Sequence, residues 1–284
     1  MTHAAKQGRD EYATLAFLYD PATAWALDPL RRDLAGLAAR EVLAFRARGG
    51  RPGPLAEGCG GHADGAPHRG SGHGLECPVR AGLADLPVLD VCCGTGRQCR
   101  FFAARGLRAV GLDLSPAMLA RTAGSDDARG VMAGFGRRAG EDLLGPSKAS
   151  GANGQRLPGP GFVQGDATRL PFPDASFAFV SVCLALHEKP PEARPVILAE
   201  MRRVAAPGAA LAVADYLRPS SAAGRLLSLG VKTVERLAGR EHHAHYAHFM
   251  RGGGLDGLLR EAGLRPLEIR PHVLGLIGLA VIVR

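Results

Sequence analysis

The chain contains no apolar run near the 18 or so residues that a membrane-spanning helix requires. Its first residues, MTHAAKQGRDEYA, lack the apolar stretch of a secretory signal, so a soluble, cytoplasmic protein is expected. Cysteine is sparse and irregularly spaced, at Cys59, Cys77, Cys92, Cys93, Cys99 and Cys183. An exported disulfide scaffold would be shorter and denser in cysteine, so reduced thiols are expected. Lysine is scarcer still: Lys6, Lys148, Lys189 and Lys232 are four of 35 basic residues. The net charge of +8 is thus carried by arginine in an alanine- and glycine-rich chain, the mark of a GC-rich coding sequence more than of a polyanion partner. Aromatic residues are 5% of the chain, and no basic run is interleaved with them as a base-stacking platform needs. No nucleic-acid partner is expected.

What remains is an ordinary globular composition, 46% apolar and 22% charged, over 284 residues, long enough for a sizeable core. Residues 10–48 read as two helices. The first is EYATLAFLY, the second follows a start signal at Asp20-Pro21 and spaces Leu30, Leu34, Leu37, Ala38 and Val42 helically. Residues 49–80 hold ten glycines and four prolines and read as a flexible insertion. From residue 86 the texture changes to strand, turn and helix in alternation. LPVLDV, LRAVGLDL, GFVQ and SFAFVSVCLAL read as buried strands, with RQCRFFAARG, PAMLARTA (capped by Ser115, Pro116 at its first position) and PEARPVILAEMRRVA as helices. Pro207-Gly208 reads as a turn before the strand AALAVADY. Residues 220–264 look mostly helical, and LRPLEIRPHV and LGLIGLAVIVR close the chain as two strands. A second glycine-rich stretch fills 124–160.

This order predicts an α/β fold: a doubly wound, mostly parallel seven-stranded sheet, Rossmann-like, with an antiparallel edge. The expected organisation is an N-terminal helical lid over 1–48, the insertion 49–80, and one domain over 81–284 that carries the stretch 124–160 and a helical insert at 217–262.

Ligands in such sheets bind at the carboxyl ends of the strands. The first strand ends in Asp90-Val91-Cys92-Cys93-Gly94-Thr95-Gly96, where Gly94 and Gly96 allow close approach of backbone to ligand. The second ends in Asp113, 23 residues after Asp90, placed to accept hydrogen bonds from ribose hydroxyls. A pyrophosphate-binding loop would carry a third glycine where Cys99 stands, and Asp90 would repel a phosphate. The carboxylate suits a cationic amino-acid group instead. The ligand is read as an adenosine with a positive tail.

These segments resemble the class I S-adenosylmethionine-dependent methyltransferases. VLDVCCGTG resembles the family's first motif, GLDLSPAML the second, GDATRLPFPDASFAFV the third and LAEMRRVAAPGAALAVADY the helix–turn–strand that follows, in order over residues 86–216. The short pieces YDPATAW, PFPDASF and HFMRGGGLDGLLREAGL are most similar to the quinone-biosynthesis C-methyltransferase group. The resemblance implies S-adenosylmethionine as cofactor, held by Asp90, Cys92, Gly94 and Gly96 at the methionine part, Asp113 at the ribose, and Leu114, Met118, Asp166 and Ala167 at the adenine, with Cys183 in the pocket. Cys92 stands where the family usually has glycine. The implied acceptor is small or lipid-like, of quinone-like or aromatic type, and the lid and insert would cover it. Oligomeric state is left open.

His187, after the fourth strand, is the candidate catalytic base, with pocket lining or helix capping as the plainer alternative. Cys99 and Cys183 also match positions of cysteines in arsenite methyltransferases, although this chain has no cysteine after Cys183. A catalytically silent interaction module of the same fold is a further alternative. Cys59-x2-His62 and His73-x3-Cys77 have zinc-like spacing in glycine-rich surroundings, and His242, His243, His245 and His248 are read as a partly solvated helix face. No metal is expected.

Overall fold

A computed structural model of the protein describes residues 12–53, 83, 85–122, 159–237 and 239–284, with the side chains of the first helix described from Ala26 onward. Cys59, His62, His73 and Cys77 lie outside the described residues, as does most of both glycine-rich stretches.

The chain opens with a single 36-residue helix, α1 (Tyr12–Ala47), which continues through Pro21 and Pro29. The expected break at Pro21 does not occur. An interior proline removes one backbone hydrogen bond and crowds the preceding turn, at a cost of roughly 3 kcal/mol. The helix buries Leu27, Leu30, Leu34, Leu37, Ala38, Val42 and Phe45 in the core, and burial of a large apolar side chain contributes about 1.5–3 kcal/mol each. That packing outweighs the prolines.

The sheet then builds as β1 (Pro87–Val91), α2 (Arg97–Ala103), β2 (Arg108–Asp113), α3 (Pro116–Ala120), β3 (Gly161–Gln164), β4 (Phe177–Cys183), α4 (Ala193–Val204) and β5 (Ala205–Tyr216). α5 (Ala222–Leu237), α6 (Arg240–Gly252) and α7 (Gly254–Glu261) follow, and β6 (Glu268–His272) and β7 (Ile277–Val283) finish it. The strand order is β3-β2-β1-β4-β5-β7-β6. The first five strands are mutually parallel, and β7 runs antiparallel between β5 and β6. The antiparallel edge is therefore a β6–β7 pair, with the reversed strand one place in from the rim. Every residue of β1 is buried, as a central parallel strand covered on both faces requires. Ser115 caps α3 by accepting from the Met118 amide at 3.1 Å, with Pro116 at the first helical position.

Pro207-Gly208 is not a separate turn. β5 already pairs with β4 at Phe177↔Ala205, and pairing resumes at Phe179↔Ala210, so the dipeptide bulges out of one long strand with Gly208 at φ 80°. Strand order reverses between β1 and β4, which opens the ligand crevice at their carboxyl ends.

Candidate active site

The crevice is lined by Asp90, Cys92, Cys93, Gly94 and Thr95 from the β1 loop, Arg97 and Gln98 from α2, Asp113 and Met118 from the β2 side, and Cys183, Leu184, Ala185, Glu188 and Lys189 beyond β4. Arg31 reaches it from α1. The space, counted out into open solvent, is about 720 Å³.

Asp90 is buried. Its Oδ1 accepts from Ser181 Oγ at 2.8 Å, and its Oδ2 faces Cys99 Sγ at 3.9 Å. Burial pushes its carboxyl up to about 7, with Asp113 adding repulsion, while Ser181 and Arg31 oppose the rise. Asp113 closes β2 and ties the loop down. Its Oδ2 accepts from the Gly94 amide at 2.7 Å and its Oδ1 from the Ser115 amide at 2.9 Å. Burial raises it above the ordinary carboxylate range, and those two amides hold the rise back.

The two glycines have separate jobs. Gly94 (φ 56°) lines the crevice, and a Cβ there would meet nothing within 4 Å. Gly96 (φ 70°) is not among the lining residues: a Cβ would lie 2.5 Å from the Phe162 ring, so packing excludes a side chain there. Cys92 occupies the left-handed region at φ 56°, which accounts physically for the glycine usual at this position in the family.

Of the four expected adenine residues, Leu114, Asp166 and Ala167 stand at adjacent strand ends, outside the lining set. Leu114 follows Asp113 and is 64% exposed; its carbonyl accepts from Gln164 Nε2 at 3.2 Å. Asp166 is exposed and accepts from the Thr168 amide at 2.8 Å, while Ala167 is buried. Met118 and Cys183 are in the crevice.

Sequence reasoning missed the contribution of α1. Arg97 donates to both oxygens of Asp28, at 2.9 and 2.7 Å, and Asp28 also accepts from Arg31 at 3.1 Å. One carboxylate thus fastens α1 to the start of α2 and orients Arg31 on the crevice wall. No spacing along the chain signals this, because Asp28 and Arg97 are 69 residues apart.

His187 stands apart from the other expected residues. It is buried and is not among the crevice-lining residues. Its Nδ1 lies 2.8 Å from Asp215 Oδ1 and its Nε2 is 3.7 Å from Glu235 Oε1. Burial alone would lower its proton affinity, but Asp215 first, then Glu235 and Glu188, raise it to about 9. With Nδ1 engaged by Asp215 and the ring outside the lining set, it stands back from the cofactor crevice. Asp215 was missed, although it ends β5 as Asp90 and Asp113 end or nearly end β1 and β2; its Oδ2 also accepts from the Leu186 and His187 amides at 3.0 and 3.1 Å.

Burial pushes Cys92 and Cys183 up to about 12 and also raises Cys93; at Cys99 a hydrogen bond with Cys93 works against burial and the neighbouring Asp90, which together raise it. Raised thiols hold less of the thiolate that metalloid chemistry uses.

The methyltransferase-domain family model matches residues 89–213. That segment is similar to the methyltransferase-domain family, and it carries the crevice at the β1–β4 switch, where open α/β sheets bind their ligands. The chain is 39% identical over 137 residues to a demethylmenaquinone methyltransferase of Parafrankia, covering 47% of this chain and 48% of that protein. It is 35% identical over 135 residues to a demethylmenaquinone methyltransferase of Renibacterium salmoninarum, covering 47% and 42% respectively. It is 32% identical over 134 residues to an uncharacterized methyltransferase of Synechocystis, covering 47% and 49%. The chain spans about half the length of the curated relatives it matches. Among the described residues, no helix of the chain is long and apolar enough to cross a membrane.

Proposed function

We propose that the protein moves a methyl group from S-adenosylmethionine to a small, quinone-like or aromatic acceptor. The observation that carries the proposal is the charge arrangement of one crevice. Arg31 and Asp90 share it, a cation and an anion suited to the carboxylate and ammonium of an amino acid, and Asp113 stands in the same crevice with its carboxylate fixed by two amides. This set fits a zwitterionic tail joined to a ribose and would repel a phosphate bridge.

Arg31 takes the methionine carboxylate, Asp90 the ammonium and Asp113 the ribose hydroxyls. Gly94 leaves room for the ligand against the backbone, Met118 packs on it, and Cys92 and Cys183 line its walls. Leu114, Asp166 and Ala167, on the strand ends beside Asp113, receive the adenine. Gly96 keeps the loop in shape through its contact with Phe162. When bound, the cofactor supplies an electrophilic methyl on a sulfonium, and transfer then needs in-line placement of the acceptor more than proton removal. The residues around it serve orientation and exclusion of water. The lid over 1–48 and the insert over 217–262 shape the acceptor side, and 81–284 is the methyltransferase domain proper. A quinone-like acceptor is supported by the names of relatives, two of them demethylmenaquinone methyltransferases.

The test is calorimetry with S-adenosylhomocysteine, followed by transfer of labelled methyl to demethylated naphthoquinols. Binding by the wild-type chain and at least ~10-fold weaker binding by Asp113→Ala are expected, a loss of about 1.4 kcal/mol. Absence of binding, or equal binding by the variant, overturns the reading.

A further inference from the structure

Beside the wall that Glu188 gives to the crevice, two imidazoles and three carboxylates meet between the short 3-10 turn Leu186–Glu188, β5, α5 and α6. Asp215 is fully buried and the side chains of His187, Glu235, His242 and Glu188 are at most 13% exposed. Each imidazole engages a carboxylate through one nitrogen: His187 Nδ1 to Asp215 Oδ1 at 2.8 Å, His242 Nε2 to Glu235 Oε2 at 2.5 Å. The other nitrogen of each ring faces a carboxylate oxygen that is too far for a hydrogen bond. His187 Nε2 is 3.7 Å from Glu235 Oε1, and His242 Nδ1 is 3.8 Å from Glu188 Oε2.

The second of these, between His242 and Glu188, is close to the distance at which two ligands of one metal ion stand. With bonds of about 2.1 Å, the edge of a coordination tetrahedron is ~3.4 Å. Ligand atoms of His187, Glu188 and His242 all lie within 4.8 Å of one another, so small side-chain shifts close the set around an ion. The outer contacts match as well. A metal-ligating histidine nearly always donates its remaining N–H to a carboxylate or carbonyl, which fixes the ring and its tautomer. Asp215 and Glu235 stand in that position on the two rings. Of the nearby cations, Lys189 Nζ donates to Glu188 Oε1 at 2.7 Å, leaving Oε2 toward His242. Arg194 is occupied by the Leu186, His187 and His245 carbonyls.

We propose that this cluster binds one divalent first-row transition ion through His187 Nε2, His242 Nδ1 and Glu188, with Asp215 and Glu235 orienting the two rings. Two nitrogens and one carboxylate are the donor set of zinc, iron(II) or manganese sites that keep coordination positions open. Glu188 also lines the crevice, so the ion and the cofactor would share a wall. If the methyl transfer proposed above is correct, an acceptor hydroxyl on the ion would be acidified and lose its proton to solvent, and the oxyanion would take the methyl as the methyl–sulfur bond breaks, leaving S-adenosylhomocysteine.

Zinc is the probe. The full chain, stripped with chelator, is titrated with zinc chloride by calorimetry, alongside His242→Ala, Glu188→Gln, Glu235→Gln and a Cys59→Ser/Cys77→Ser double variant, with melting curves confirming that each folds. One equivalent of zinc is expected, with ~100-fold weaker binding in His242→Ala and about 10–100-fold weaker binding in Glu235→Gln. The double cysteine variant should bind as the wild type does. Cobalt substituted at the site should show ligand-field bands without thiolate charge transfer. No zinc uptake, uptake unchanged in His242→Ala and Glu188→Gln, or uptake abolished by the cysteine changes overturns the proposal. Should His242→Ala fail to fold, Glu188→Gln and Glu235→Gln decide the matter. Calorimetry with S-adenosylhomocysteine on the zinc-free chain separates the two readings: cofactor binding without zinc uptake defeats only the metal site, and zinc uptake without cofactor binding defeats only the crevice assignment.

Discussion

The buried carboxyl of Asp90 makes cofactor affinity depend on pH in a direction and size that follow from its surroundings. Its proton affinity is raised to about 7, chiefly by burial. An ammonium placed against it favours the charged form and lowers that value, so binding expels a proton wherever the free protein still holds one. With about 7 for the free site and a value well below 6 for the occupied one, roughly nine-tenths of a proton leaves at pH 6, half at pH 7 and about a tenth at pH 8. Affinity for S-adenosylhomocysteine should accordingly fall about 10-fold from pH 8 to pH 6. Calorimetry in buffers of different ionisation enthalpy counts the protons directly. His187, itself raised to about 9 and so above this window, lies outside the lining set. Asp113 is also raised and would add to the release with the same sign, so Asp90→Asn should remove most of it but not necessarily all. The same carboxyl has a stability signature. A carboxyl raised by folding favours the folded state while it is protonated, and ionisation of the ligand-free site is unfavourable. From 3.8 to about 7 the penalty is on the order of 4 kcal/mol, absent below pH 4, growing to pH 7 and flat beyond. Asp90→Asn should flatten that slope in urea denaturation. An affinity that is level between pH 6 and 8, or one that rises toward acid, would show that Asp90 does not meet the ammonium.

The remaining predictions concern backbone and lid. Gly96→Ala sets a methyl 2.5 Å from the Phe162 ring at a left-handed residue and should cost about 2–4 kcal/mol by thermal melting. Gly94→Ala meets open space, so only strain of about 1–2 kcal/mol is expected, with cofactor affinity falling by at least ~10-fold as the methyl enters the crevice. At Cys92, glycine should be at least as stable as cysteine because the left-handed strain is relieved, while valine should lose about 1–2 kcal/mol or more; equal melting temperatures for all three would refute the strain. Asp28→Ala releases the two hydrogen bonds from Arg97 and should weaken S-adenosylhomocysteine several-fold and speed proteolysis within α1, at about 1 kcal/mol of stability for a partly exposed pair.

What the sequence shows well is local backbone. Strands buried on both faces read as short apolar runs, so an acid at their ends stands out, and Asp90 and Asp113 do occupy one crevice. The Ser115 cap and the β6–β7 pair were legible for the same reason. Where a reading failed, the deciding partner was remote. Pro21 ends a helix in isolation, yet α1 continues because of core residues further along it. Gly94 and Gly96 look alike until Phe162 is brought against one of them.

Electrostatic roles are the least local of all, and the three acids at or near the strand ends illustrate why. Asp90, Asp113 and Asp215 follow similar apolar runs, but their environments diverge. Asp90 meets a hydroxyl and a thiol, too little to offset burial, and holds a proton near neutrality. Asp113 meets two backbone amides from its own and the neighbouring loop and serves as the tie between them. Asp215 meets three amides and an imidazole 28 residues away, whose proton affinity it raises. A histidine at the expected acceptor face therefore reads as a base until its partners are counted. Glu235, on α5, is the second carboxylate facing that ring, 48 residues on, and nothing near His187 in the chain announces it. The fold is written in patterns of a few residues; the protonation of its site is written in contacts that only the folded chain assembles.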